Sequence, residues 1–196
     1  MRFRKSIILV LSVLISGAHV WAQKSTREGN EILWSVDRPL AWSDFKGSNT
    51  NMQKNQAAFV GTQLSFETSI NKNQDSVTIK VEARMIKNHS WKLKSATSDY
   101  LLKHEQLHFD ICELFARKLR KEISEMIAEK RTFNSNLNKL MKKIDKEHYA
   151  MQKQYDKETN HSLTEEMQAG WNISIANQLK EYEAWSSSEI VLAFVD

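Results

Sequence analysis

A chain of 196 residues, 41% apolar and 27% charged, is long enough for one domain with a real core, and its composition is neither disordered nor fibrous. Five glycines and one proline leave few sharp turns, which suits long helices better than a many-stranded barrel. The formal charge is +4, but Arg2, Arg4 and Lys5 supply three of those charges; without them the chain stands at +1 and a nucleic-acid binder loses its main support.

Those three residues belong to a basic head, Met1-Arg-Phe-Arg-Lys5, followed by an apolar stretch at 7–20 and by Val20-Trp21-Ala22. This pattern predicts a signal peptide over residues 1–22, cleaved after Ala22, and an exported protein, periplasmic or secreted. The alternative is an uncleaved anchor, but the apolar run falls short of the roughly 20 residues that span a bilayer. No transmembrane helix is expected after cleavage. Cys112 stands alone, so no intrachain disulfide forms even under oxidising conditions, and its place in a helix predicts a buried, inert thiol.

Along the mature chain, Ile32, Trp34 and Val36 alternate and predict a short strand over 31–36. An aromatic connection, Arg38-Pro-Leu-Ala-Trp42-Ser-Asp44-Phe-Lys-Gly47, leads into a polar loop over 48–56. Residues 58–70 then alternate as a strand with Val60, Thr62, Leu64, Phe66 and Thr68 on one face. A hairpin loop at 71–76 returns the chain through Val77, Ile79, Val81, Ala83 and Met85. From Asp99 the apolar spacing turns helical through Met126, with Thr97 or Ser98 as cap. A second helix is predicted over 134–153, and Ser162-Leu-Thr-Glu165 forms a capping box for a third, whose stripe is Met167, Trp171, Ile175, Leu179 and Tyr182. A closing strand follows at 190–195. Sheet first and helices after is an α+β order, and residues 23–196 contain no internal boundary.

The first long helix carries His104-Glu105-Gln106-Leu107-His108, the HExxH pattern. Residues four apart lie about 40° apart and one turn along, so both imidazoles reach one ion. Zinc (Zn2+) suits neutral imidazole nitrogen, and a catalytic site keeps a position open for water. Glu105 lies beside both ligands, where it can accept a proton from metal-bound water and return it to the leaving amine. The competing reading is an ordinary amphipathic helix that carries two histidines. A third ligand does not come from the same helix: Asp110 lies about 200° round from His108 and Glu113 about 140°. Glu113 is expected to pair with Arg117 instead. The candidates are Glu147 and His148 on the second helix, and Asp156 and His161 just before the third.

Three stretches carry a family likeness: Arg38-Pro-Leu-Ala-Trp-Ser-Asp-Phe-Lys-Gly47, the helix around His104-Glu-Gln-Leu-His-Phe-Asp110, and Tyr155-Asp-Lys-Glu-Thr-Asn-His161 with the later Trp171. In them the sequence resembles the bacterial domain-of-unknown-function family 922, whose members are described as predicted secreted zinc-dependent proteases, an activity itself inferred from HExxH. The resemblance implies that Tyr155, Asp156, Thr159 and His161 form a functional segment. It favours His161 as third metal ligand, Asp156 next, with Asp156 or Thr159 otherwise orienting a ligand. Glycine usually follows that histidine in the family; here Ser162 does. Tyr155 is the candidate oxyanion donor, with a buried structural tyrosine as the alternative.

The fold expected from all this is a small N-terminal antiparallel sheet followed by about three helices, zincin-like, with HExxH on the central helix. The expected function is a secreted zinc metallopeptidase, a hydrolase of peptide or protein substrates with Glu105 as general base. An edge strand, 58–70 in first place, would hold an extended peptide. The rival is a non-catalytic cell-envelope protein with a structural or vestigial metal site, binding a protein or wall polymer through Trp42 and Phe45; simple core packing of those aromatics is the plainer reading. Oligomeric state is not legible.

Overall fold

The computed structural model describes residues 29–48 and 56–195. The expected signal peptide and most of the polar loop at 48–56 lie outside them. The chain divides into Met1–Asn30 and a compact unit, Glu31–Asp196, and everything below concerns the second.

Its centre is strand β4 (Ser76–Ile86), whose alternate residues Val77, Ile79, Val81, Ala83 and Met85 are all at most 2% exposed. Each of the four larger side chains contributes about 1.5–3 kcal/mol, and the Ala83 methyl less. Strand β3 (Thr62–Ile70) pairs antiparallel along one edge of β4. The other edge takes β1 (Glu31–Leu33) near one end and β6 (Glu189–Ala193) near the other, both antiparallel. The hairpin between β3 and β4 closes as its residues suggest: the Asn71 side chain accepts from the N–H groups of Asp75 and Ser76, and Gln74 takes a left-handed φ of 56°. Among the described residues no strand covers the outer edge of β3.

Helix α1 (Asp99–Ser124) lies between this sheet and the two later helices, α2 (Phe133–Thr159) and α3 (Glu165–Glu181), and so is the central layer. Ser98 caps it, accepting from the Leu101 N–H. A buried ionic knot sets its position. Glu113 accepts from Arg117 at 3.0 Å and from Arg120 at 2.9 Å, and both Arg120 Nε and Nη2 donate to the Val81 carbonyl on the central strand. Arg117 also reaches the Leu179 carbonyl at the end of α3. Asp110, on the opposite side of α1 from the histidines, accepts from Trp34 Nε1 and Gln106 and ties in the N-terminal connection. In that connection Arg38 grips the buried Asp44 with two bonds of 2.7 and 2.8 Å. Phe45 is buried and packs 5.0 Å from Trp42, so these aromatics are core. Cys112 is buried, which pushes its thiol up to about 12.

The structure alters four expected elements. The strand expected over 31–36 stops at Leu33, and Val36 is exposed. Residues 58–70 are two strands, β2 (Ala58–Phe59), which pairs with β5 (Trp91–Lys92), and β3, because Val60 and Gly61 give their N–H groups to Glu105 and Ser90 side chains. At Gly61 the backbone lies so close to His89 that a Cβ would sit 2.9 Å from the His89 Cβ. Helix α2 continues six residues past 153, since nothing in Gln154-Tyr-Asp-Lys-Glu-Thr159 breaks a helix before Asn160 turns left-handed. The third helix starts at Glu165 without the expected capping box: Ser162 has φ 72° and lies outside the helix, and the N-cap Thr164 makes no side-chain bond. No helix among the described residues is long and apolar enough to cross a membrane.

Candidate metal centre

Both motif histidines project from α1 towards the C-terminal half of α2. His104 is 3% exposed and sits edge-on to His108, with ring centroids 5.0 Å apart. Between them stands Asp156, whose Oδ1 is 3.2 Å from His104 Nε2 and 3.0 Å from His108 Nε2. Asp156 takes this corner because α2 runs on through Thr159 and so turns residue 156 towards α1.

The other ring nitrogens are held by glutamines. His104 Nδ1 lies 2.8 Å from Gln168 Oε1, an oxygen that also accepts from the Tyr155 hydroxyl at 2.7 Å. Gln168 donates its Nε2 to Asn172, so its oxygen must be the acceptor and His104 Nδ1 the N–H donor. His108 is oriented in the same way: Gln152 donates its Nε2 to the His108 carbonyl and turns its oxygen to His108 Nδ1. In the neutral rings both Nε2 atoms therefore carry lone pairs, and these face a carboxylate.

Two lone pairs and an anion at such distances repel unless a positive charge lies among them. A divalent ion meets that requirement: ligand atoms about 2.0–2.1 Å from a tetrahedral zinc are about 3.3–3.4 Å apart, close to the two distances found. His104, His108 and Asp156, with ligand atoms all within 4.8 Å of one another, form a group that can hold a metal ion. Ring protons can supply the same positive charge: burial disfavours the Asp156 charge, but hydrogen bonds from His104 and His108 protonated at Nε2 outweigh that and hold it well below the usual carboxylate range. His108 is also desolvated, yet Asp156 and Glu105 raise it overall.

Glu105 is 4% exposed, and its Oε2 accepts from the Val60 N–H at 2.9 Å. Burial raises its pKa, against the pull of His108 and His104. His161, the first choice for third ligand, stands outside the three-atom cluster, half-exposed, with Nδ1 3.5 Å from Asp156 Oδ1. It sits on a left-handed turn, Asn160, His161 and Ser162, with φ of 49°, 52° and 72°. Glu147 and His148 are also outside the cluster; burial pushes His148 down to about 4. The oxyanion role expected of Tyr155 does not fit its surroundings. Tyr155 is fully buried, stacks on His104 at 4.6 Å, and gives its hydroxyl to Gln168, with the His104 carbonyl 3.2 Å away. Thr159 bonds to the Tyr155 carbonyl and closes the helix end.

A family model described as a bacterial protein of unknown function, DUF922, matches residues 44–162, more than half of the chain. The chain belongs to this family. No curated protein and no solved structure matches it. The DUF922 match runs from the buried Asp44 through HExxH and Asp156 to Ser162, but it stops before Gln168 on α3.

Sequence reasoning missed Gln152 and Gln168. Gln152 is four residues before Asp156 on the same face of α2, a relation hidden while the helix was ended at 153. Gln168 is a polar residue in the α3 stripe that includes Trp171 and Ile175, and such an interruption is the signal of a buried hydrogen-bonded group.

The centre opens on a cleft with two arms. The larger, about 1060 Å³, lies between Gly61–Gln63 and the α2 face carrying Tyr149, Lys153 and Lys157. The smaller, about 440 Å³, is lined by Tyr100, Leu101 and Leu163. His108, Asp156 and His161 border both.

Proposed function

We propose that this DUF922 chain is an exported zinc-dependent peptidase. The observation that carries the reading is the convergence of two tautomer-fixed imidazoles and a carboxylate at the junction of a cleft, with a buried glutamate beside them. His104, His108 and Asp156 would hold the ion. When bound, zinc supplies a Lewis acid that polarises a carbonyl and acidifies a water.

The chain's own residues supply the rest. Val60 holds Glu105 through Oε2, which leaves Oε1 to take a proton from the attacking water and deliver it to the leaving amine. The Ile86 N–H bonds to the Gly61 carbonyl, and this sets the phase of β3: Gly61, Gln63 and Ser65 face β4, while Thr62 and Leu64 turn their backbone N–H and C=O outward. That edge suits an extended peptide laid along the cleft. His161, half-exposed and bordering both arms, is the side chain available to donate to the developing oxyanion, the part the sequence suggested for Tyr155. Export rests on the basic head and apolar stretch of residues 1–22.

The test compares zinc content and hydrolysis of an unfolded protein in the wild type and in Glu105→Gln. The expected result is one zinc per chain in both, with hydrolysis lowered about 10²–10⁴-fold in the variant. A variant that cleaves as fast as the wild type, or a zinc-loaded wild type that cleaves nothing, overturns the proposal.

A further inference from the structure

We propose that the larger arm of the cleft is a subsite for an acidic side chain, so that the peptide taken carries Asp or Glu just N-terminal to the bond that is cut. This rests on the peptidase reading above and adds a substrate class to it. The arm, at about 1060 Å³, exceeds the usual upper end of small-ligand pockets, about 1,000 Å³, and so suits several residues of an extended chain.

Its charge is one-sided. Tyr149, Lys153 and Lys157 recur every four residues and form one stripe of α2 along the wall. The Lys153 ammonium lies 4.7 Å from the Tyr149 ring centroid, which holds it at the wall. Neither lysine forms an ion pair among the described residues. Among the described residues the only carboxylate lining this arm is Asp156, which belongs to the metal cluster. His148, also in the lining, is partly buried, which lowers its pKa to about 4 and leaves it neutral near pH 7. Two cations therefore face the cleft with no anion of their own.

The smaller arm differs in charge: Tyr100, Leu101, Ser162 and Leu163 line it, and among the described residues Glu165 is its one charged group outside the centre. A peptide crossing the centre thus meets cationic walls on one side and a faintly anionic pocket on the other.

Strand direction sets the polarity. Ala57 and Ala58 border the smaller arm, Phe59 both and Gly61–Gln63 the larger, so the edge runs from small to large. A peptide pairing antiparallel with it, the slightly more stable arrangement, runs the other way. Its residues before the scissile bond then lie beside Lys153 and Lys157, and the residue after it enters the smaller arm.

The experiment uses three 2-aminobenzoyl peptides, Ala-X-X-Ala-Leu-Ala amides with X as Glu, Gln or Lys. Hydrolysis is followed with the zinc-loaded wild type, and binding by fluorescence with Glu105→Gln. The expected order is Glu over Gln over Lys, with Glu ahead of Gln by about 3–10-fold in both kcat/KM and Kd. That advantage should shrink from 50 to 500 mM salt. The double variant Lys153→Glu, Lys157→Glu, with unchanged far-UV circular dichroism, should invert the order.

Equal values for the Glu and Gln peptides, no binding of either, or an order unchanged by charge reversal would overturn the subsite. A series with the Glu pair moved after the leucine checks direction: a preference there overturns the antiparallel placement. The two readings separate cleanly. Charge-dependent binding without hydrolysis by the wild type sinks the peptidase and leaves the subsite standing, whereas hydrolysis blind to X does the opposite.

Discussion

Replacing Gln168 by Met, close to it in length and shape, tests whether the polar groups behind the histidines govern the centre. Gln168 is 2% exposed, and its Oε1 is the acceptor for His104 Nδ1–H at 2.8 Å and the Tyr155 hydroxyl at 2.7 Å. The substitution removes both bonds. Tyr155 has a fallback in the His104 carbonyl at 3.2 Å, but the buried imidazole N–H has none. Leaving one buried donor unsatisfied costs about 1–3 kcal/mol, and the weakened tyrosine bond adds a fraction of that, for a total of about 2–3 kcal/mol. For a domain of this size that lowers Tm by roughly 5–10 °C. The freed ring no longer favours the tautomer whose Nε2 lone pair faces Asp156, so zinc affinity should fall about 10–100-fold. Calorimetric zinc titration and thermal unfolding of Gln168→Met, Tyr155→Phe and the double variant measure both effects. Because the two side chains share one oxygen, a stability coupling of about 0.5–1.5 kcal/mol is expected. Zinc affinity within twofold of wild type in Gln168→Met would refute the reasoning and leave Gln168 as an ordinary buried amide.

Three further outcomes follow from the same geometry. Ser162, at φ 72°, bears a strain that glycine does not, so Ser162→Gly should raise stability by about 0.5–1 kcal/mol in chemical denaturation; a loss would mean that the serine side chain holds the turn. Glu113→Ala leaves Arg120 buried without a carboxylate and Arg117 with only the exposed Glu183, and should cost about 3–5 kcal/mol in urea unfolding. Burial works against the Asp44 carboxylate, but the Arg38 guanidinium and the Ala41 N–H still hold its pKa below the ordinary value. Its contribution is thus fully present above the unfolded pKa near 3.9 and is lost as pH falls through the lower folded value. With Arg38 half-exposed, Asp44→Asn should be about 1–2 kcal/mol less stable than wild type at pH 7, with the gap closing below about pH 4; a gap that does not vary with pH would contradict the ion pair.

The parts of the fold set by periodicity were legible. Val77 to Met85 alternate so strictly that they could only be a buried strand, and α1 announces itself from its Ser98 cap onward. Boundaries set by tertiary contacts were not. The break at Val60 exists because Glu105, 45 residues away, takes its N–H, and no local pattern records that bond. Within the centre, HExxH spacing was enough to turn two imidazoles to one side of α1. The third corner depended on where α2 ends: with the helix stopped at 153, Asp156 and His161 were both loop residues and the family resemblance put His161 first, whereas a helix through Thr159 aims Asp156 at the histidines and leaves His161 on the turn beyond. Of the two roles open to Tyr155 in the sequence, its burial fits the structural one, since one residue's rotation on that extended helix separates the cleft from the core.

The central claim is that His104, His108 and Asp156 hold one ion with a position left for water. A crystal structure of the zinc-loaded protein, with the ion located by anomalous scattering, tests it most directly. The account expects a single zinc about 2.0–2.2 Å from His104 Nε2, His108 Nε2 and an Asp156 oxygen, with solvent as the remaining ligand. Zinc bound elsewhere, or closed off by His161 as a fourth protein ligand, would contradict it.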